Sequence, residues 1–83
     1  MTVDYSRLRS VTARQLVSAL QSDGFDLQRQ KGSHRLYKHS DGSRVTLSFH
    51  HSSDTFRLGT LRSIIEMQAR WTADDLRRLE LVR

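Results

Sequence analysis

A histidine lies beside a basic, flexible turn near the middle of the chain, in the stretch Lys31-Gly32-Ser33-His34. An imidazole changes charge near neutral pH, so His34 can accept and donate a proton under cellular conditions. Cations near such a group suit chemistry on a phosphodiester, because they stabilise the negative charge that develops on the phosphate. These residue types predict a proton-transfer site for a phosphate-containing substrate, with His34 at its centre.

RNA fits such a site better than DNA does. RNA carries its own nucleophile, the 2′-hydroxyl, which attacks the adjacent phosphorus once a base removes its proton; DNA lacks this group. His34 would supply either proton transfer, and the backbone amides of Gly32 and Ser33 are expected to form an anion-binding turn. The residues predicted to contact RNA are Arg29, Lys31, Gly32, Ser33, Arg35 and Lys38.

The charge of the chain favours a polyanionic or acidic partner. Fourteen Lys and Arg residues stand against nine Asp and Glu residues, which gives a net charge of +5. Basic residues concentrate between positions 29 and 44, whereas several acidic residues lie near the C-terminus. Three kinds of function remain open: a ribonuclease, a non-catalytic RNA-binding domain, and a module that binds an acidic protein.

Length and composition limit the architecture. Eighty-three residues predict one small domain, here residues 11–83, preceded by a flexible arm over residues 1–10. The chain has no cysteine, which excludes disulfides and thiolate metal sites. His50-His51, with His39, could suggest a metal site, but adjacent strand residues point to opposite faces, so no metal is predicted. Residues 1–10 contain no apolar run, so we expect a cytoplasmic protein with neither membrane contact nor a small-molecule cofactor.

Capping signals and hydrophobic periodicity predict three helices. The first spans about residues 13–22, because Thr12 and Gln15 form a capping-box pattern and Gly24 suits a helix end. A second helix is predicted over about 59–68, with either Met67 or Gln68 facing inward, and a short third helix over about 73–80.

Alternating residues predict three strands between the first two helices, over about 25–30, 34–39 and 44–50. The resulting order, α-β-β-β-α with an extra C-terminal helix, indicates an α+β fold with helices on one face of a three-stranded antiparallel sheet. The other face of such a sheet stays open to solvent and could accept a ligand.

The turn between the second and third strands decides which face His34 occupies. A two-residue turn at Asp41-Gly42 would point His34 into the core. A three-residue loop over 41–43 would place Tyr37 opposite Leu47 and bury the aromatic ring, and is therefore favoured. The residues then expected on the open face of the second strand are His34, Leu36 and Lys38.

Several motifs occur in an order that resembles the HicA-type toxins, over most of residues 11–70. They are the helix from Thr12 to Gly24, Arg29-Gln30-Lys31-Gly32-Ser33-His34, Leu36-Tyr37-Lys38-His39, Asp41-Gly42, Arg44-Val45-Thr46-Leu47 and Gly59-Thr60-Leu61-Arg62-Ser63-Ile64.

The resemblance implies a fold like that of a double-stranded-RNA-binding domain. It also implies an endoribonuclease that cleaves messenger RNA, is the toxin of a type II toxin–antitoxin system, and is inhibited by an acidic HicB-like antitoxin. The catalytic histidine of the family's Gly-Ser-His motif corresponds to His34. Many relatives carry a second histidine where this chain has Arg35, which disfavours a mechanism that uses two adjacent histidines and leaves a single-histidine mechanism intact.

Overall fold

The computed structural model describes residues 3–82 and has one three-stranded antiparallel sheet in the order β1-β2-β3. The predicted α+β fold and its α-β-β-β-α order are confirmed, and the arrangement is consistent with a double-stranded-RNA-binding-domain-like fold. The elements are a 3-10 helix (Tyr5–Leu8), α1 (Ala13–Ser22), β1 (Phe25–Lys31), β2 (His34–His39), β3 (Arg44–Ser48), α2 (Leu58–Arg62), a π-helix (Ser63–Gln68) and α3 (Ala73–Arg78).

Helix α1 has the predicted bounds, and both of its ends follow from local sequence. The Thr12 hydroxyl accepts a hydrogen bond from the Gln15 amide at 3.3 Å, and Gln15 Oε1 accepts one from the Thr12 amide at 2.8 Å. After the helix, Gly24 adopts φ +93°, a conformation that favours glycine. A Cβ atom at Gly24 would also lie 3.0 Å from His39 Nε2, so a larger residue would crowd that ring.

The hydrophobic core lies between the helices and one face of the sheet. Helix α1 packs against β1, and the π-helix packs against β3. Because every helix that contacts the sheet lies on this side, the other sheet face keeps its polar side chains in water. Large side chains with less than 2 % exposure include Leu16, Leu20, Val45, Leu47, Leu61, Ile64, Ile65 and Leu76.

The second helix changes form partway along its length, which the sequence did not predict. Its second half is a π-helix, in which the Ala69 amide donates to the Ile64 carbonyl at 2.8 Å. Gln68 faces inward, and its Oε1 accepts a hydrogen bond from the Thr46 amide of β3 at 2.8 Å. Met67 is 76 % exposed, so the structure selects Gln68 from the two predicted alternatives.

Helix α3 ends two residues before its predicted end and is attached to the end of α1. Thr72 and Asp75 form a second capping box. The preceding Trp71 is buried, and its Nε1 donates to Asp23 Oδ2 at 2.8 Å. Arg78 also donates to Asp23, at 2.8 Å, so one carboxylate joins both ends of α3 to the C-terminal end of α1.

Part of the N-terminal segment packs against the rest of the domain. Leu8 is 1 % exposed because it packs into the core, and the Tyr5 hydroxyl donates to the Glu66 carboxylate. Burial and this hydrogen bond raise the pKa of Tyr5 to about 12. Residues 5–8 therefore form a packed turn, whereas residues 1 and 2 of the predicted arm lie outside the described residues.

Candidate functional site on the open face of the sheet

The hairpin between β2 and β3 places His34 on the open face, as predicted, but with a different pairing. The His39 amide donates to the Ser43 carbonyl at 2.9 Å, so the three-residue loop spans 40–42 and not 41–43. Tyr37 therefore pairs with Val45, and the predicted pairing with Leu47 is wrong. Because side chains alternate with a period of two, this two-residue difference leaves each of them on its predicted face.

A tight turn positions the backbone just before His34. Gly32 has φ +60° and Ser33 does not have a positive φ, which is the pattern of a type II′ hairpin turn. The Ser33 carbonyl accepts a hydrogen bond from the Phe49 amide at 3.2 Å, which attaches the turn to the chain after β3. His34 thus begins β2 at a fixed place between β1 and β3.

A β-bulge at Gln28 decides where the cations of β1 point. Leu27 pairs with Tyr37, and Arg29 pairs with Leu36, so Gln28 is the extra residue. Without an extra residue, Leu27 and Arg29 would lie on the same face. The bulge turns Arg29, and two residues later Lys31, to the face that carries His34.

We call this surface the outer face. Its side chains form three rows that run across the strands. Directly paired residues of neighbouring strands have Cα atoms about 4.5 Å apart at positions without backbone hydrogen bonds between them. The rows are Lys31, His34 and Ser48; Arg29, Leu36 and Thr46; and Asp26, Lys38 and Arg44.

A shallow depression of about 240 Å³ opens on the outer face around His34. His34 is exposed, while Leu36 is half-buried and gives the depression an apolar floor. Its lining residues are Arg29, Lys31, His34, Arg35, Leu36 and Thr46, so it contains an imidazole and several cations but no carboxylate.

The cations of the outer face are not neutralised by neighbouring carboxylates. Within residues 3–82, neither Arg29 nor Lys31 forms an ion pair within 4.0 Å. Asp26 lies opposite Lys38, but these two do not form an ion pair either. The positive potential around His34 is therefore available to an anionic ligand.

The structure brings some of the predicted site residues together and separates others. Arg29, Lys31 and the Gly32-Ser33 turn lie next to His34. Lys38 lies four residues along β2, about 13 Å away at 3.3 Å per residue, and is therefore separated from the other predicted site residues. The side chain of Arg35 points to the opposite face, where its guanidinium carbon lies 4.3 Å from the centre of the Phe49 ring.

Two hydroxyl residues of the outer face were not among the predicted site residues. Ser48 pairs with His34, and its Oγ lies 3.5 Å from Ser33 Oγ. Thr46 pairs with Leu36 and lines the depression. The alternation of β3 could have indicated both, because Val45 and Leu47 face the core and the residues between and after them must face outward.

Comparison with protein families identifies the family to which the chain belongs. Residues 13–70, more than two thirds of the chain, match the family model described as the HicA toxin of bacterial toxin–antitoxin systems. The chain therefore belongs to the HicA toxin family. A search of curated proteins found no match.

Metal-binding clusters and membrane-spanning helices were also sought in the described part of the chain. Among residues 3–82, no three His, Cys, Asp or Glu side chains come together in an arrangement that could hold a metal ion. No helix in this part of the chain is long and apolar enough to cross a membrane.

Proposed function

We propose that this chain is an endoribonuclease toxin of a type II toxin–antitoxin system. It cleaves messenger RNA in the cytoplasm without a metal ion, and His34 is its general acid or base. The observation that carries this proposal is the exposed imidazole of His34 among unpaired cations, in a chain of the HicA toxin family.

The residues of the outer face would have different roles in the reaction. His34 takes the proton from the ribose 2′-hydroxyl or gives one to the leaving 5′-oxygen. Lys31, its cross-strand neighbour, and Arg29 stabilise the charge on the phosphate. The depression is shallow and open, which suits an extended single strand whose phosphates and riboses can reach the imidazole.

Inhibition by a HicB-like antitoxin follows from the same surface. An acidic partner that covers the outer face would neutralise its cations and exclude RNA from His34. We therefore expect the antitoxin to protect the His34 ring from solvent and to bind less tightly as salt concentration rises. A structure of the complex in which His34 stays open to solvent would contradict this mode of inhibition.

Cleavage of matched nucleic acids in a chelator tests the function. The purified protein is incubated with a single-stranded RNA, with a DNA of the same sequence, and with the same RNA carrying 2′-O-methyl groups, all in excess EDTA. We expect cleavage of the unmodified RNA alone, because only that substrate has a free 2′-hydroxyl.

The product ends sharpen this test. Attack by the 2′-hydroxyl leaves a 2′,3′-cyclic phosphate and a free 5′-hydroxyl. Binding of the RNA without cleavage would contradict the proposed endoribonuclease activity and would support a non-catalytic RNA-binding domain. Cleavage of the DNA or of the 2′-O-methyl RNA would contradict the proposed mechanism.

A further inference from the structure

Arg35 occupies an unusual position on the helix-covered side of the sheet. Its guanidinium lies close enough to Phe49 for a cation–π contact, at 4.3 Å from the ring centre. Its Nε is buried and has no hydrogen-bond partner among the described residues. Burying a polar group without a partner costs free energy, so the guanidinium is held in this orientation by packing and not by a hydrogen bond from Nε.

A second depression of about 290 Å³ surrounds this guanidinium, between one side of α1 and the chain that follows β3. Arg14 of α1 contributes a second positive charge. The lining also includes apolar surface from Val17 and Phe49 and polar side chains from Ser18, Gln21 and Ser52. Arg14 and Arg35 make no ion pair with any carboxylate of residues 3–82.

The two depressions meet at one residue, because Arg35 lines both of them. Arg35 follows His34 directly in β2, so its Cα lies about 3.8 Å from that of His34. Both residues stand at the start of β2, where the sheet ends. A chain bound at His34 can therefore continue around this end of the sheet into the second depression.

We propose that the Arg14–Arg35–Phe49 depression is a subsite for a nucleotide next to the cleaved linkage. The two guanidinium groups bind its phosphate, and the apolar surface of Val17 and Phe49 accommodates the sugar and base. This inference rests on the proposed function for the position of the cleaved linkage, but the binding it describes does not require cleavage.

Single-stranded RNA fits this arrangement better than an acidic protein does. A carboxylate side chain would use the two cations but would not require continuity with the His34 depression. A nucleic acid strand uses both depressions at once, since it presents phosphates at regular intervals along one chain.

The test measures binding of a 5′-labelled single-stranded RNA to His34→Ala protein, in which cleavage is expected to be too slow to disturb the measurement. Arg35→Met is added because methionine keeps an apolar side chain on Phe49 and removes the charge. Arg14→Ala is the second variant, since Arg14 is exposed and its replacement should leave the fold intact. Arg57→Ala is the matched control, because it removes one exposed charge outside both depressions.

We expect each subsite substitution to weaken RNA binding by about tenfold, the effect of losing a hydrogen bond to a charged group. The slope of log Kd against log salt should fall by about 0.7 for each phosphate that the variant no longer neutralises. Arg57→Ala should change both quantities less. Circular dichroism and thermal unfolding establish that each variant is folded.

RNA affinities of Arg14→Ala and Arg35→Met that match the Arg57→Ala control would overturn the subsite. A loss confined to binding of an acidic antitoxin would also overturn it, in favour of a protein contact.

A cleavage experiment separates this inference from the proposed function. In protein with His34 intact, Arg35→Met should raise KM for a long RNA. It should leave KM unchanged for a dinucleoside phosphate, because the only phosphate of that substrate is the cleaved linkage itself and none remains for Arg35 to bind. Equal effects on both substrates would contradict the subsite while leaving the ribonuclease intact. Conversely, RNA that binds through Arg35 but is never cut would contradict the proposed ribonuclease activity and would support the subsite.

Discussion

Two regions of the molecule differ in how their basic residues are paired: the surface formed by α2, the π-helix and α3, and the outer face of the sheet. On α2 and α3, the basic residues are paired with carboxylates close to them: Arg78 with Asp23 and Asp75, Arg77 with Asp74, and Arg62 with Glu66. On the outer face, the cations around His34 have no such partner within residues 3–82. The same residue types therefore stabilise the fold on α2 and α3 and are left free for an anionic ligand on the outer face.

This contrast has a simple physical consequence. A charge that already has a partner gains little from an additional anion, whereas unpaired charges of one sign attract a polyanion and repel one another. Substitutions in the ion pairs of the helix surface should therefore change stability with little effect on RNA, and substitutions on the outer face should do the reverse. Four experiments test this separation.

The largest expected effect is on catalysis, from His34→Ala. Removal of a positioned acid–base group should lower the rate of RNA cleavage about 10²–10⁴-fold. Since His34 is exposed, the free energy of unfolding should change by less than about 0.5 kcal/mol. Cleavage assays with urea denaturation of the same samples measure both. A folded variant that cuts RNA at the wild-type rate would rule out the catalytic role.

The corresponding substitution on the helix side is Asp23→Ala. It removes the acceptor for the buried Trp71 Nε1 and the partner of Arg78. The unpaired indole N–H should lower the free energy of unfolding by about 1–3 kcal/mol. Asp74→Ala, which removes only an exposed pair, serves as the control and should cost less than about 1 kcal/mol. RNA affinity measured well below the unfolding temperature should be unchanged. A large loss of RNA affinity would contradict the separation between residues that stabilise the fold and residues that bind RNA.

Salt dependence compares single charges from the two sides. Lys31→Ala should reduce the slope of log Kd against log salt by about 0.7, because Lys31 would meet a phosphate beside His34. Arg77→Ala removes the same charge from an ion pair on α3, and should leave the slope nearly unchanged. Filter binding at several salt concentrations measures both slopes. Equal changes would mean that RNA senses only the net charge of the protein.

The smallest expected effect is on the capping box of α3. The backbone N–H of Thr72 and the neighbouring Arg78 lower the pKa of Asp75 below its ordinary value of 3.8. A lowered pKa in the folded state means that the carboxylate stabilises the fold above pH 3.8 and loses this effect as the pH falls through the folded-state pKa. Asp75→Ala should therefore cost roughly 0.3–1 kcal/mol at neutral pH, the usual contribution of an acidic residue in the first turn of a helix.

The difference between Asp75→Ala and the parent protein should shrink at pH values below 3.8, where the parent carboxylate becomes protonated. Urea denaturation of both proteins at neutral and acidic pH measures this difference in the free energy of unfolding. A difference that stays constant with pH would show that the stabilisation does not come from the ionised carboxylate. RNA cleavage at neutral pH should be the same in both proteins.

Features that depend on neighbouring residues were predictable from the sequence. Helix α1 begins and ends as predicted because Thr12, Gln15 and Gly24 act within a few residues of one another. The face of His34 was predictable because Tyr37, three residues away, has to be buried and therefore fixes the alternation of β2.

Features that depend on residues distant in the chain were not predictable. The bulge at Gln28 depends on how β1 pairs with β2, and the π-helix accompanies a hydrogen bond between Gln68 and Thr46, 22 positions apart. The position of Arg35 is a third case. Alternation along β2 places its side chain on the other face of the sheet from His34, but its packing on Phe49 depends on the path of the chain after β3.

The hydrogen bond from the Thr46 amide to Gln68 has a consequence for association between molecules. Thr46 lies on β3, a strand at the edge of the sheet, and its amide points away from β2. An unsatisfied amide at this place would be open to pairing with a strand of another molecule, which is how exposed edges lead to aggregation. The glutamine side chain occupies that donor, so a strand of another molecule could not pair with the edge through the Thr46 amide.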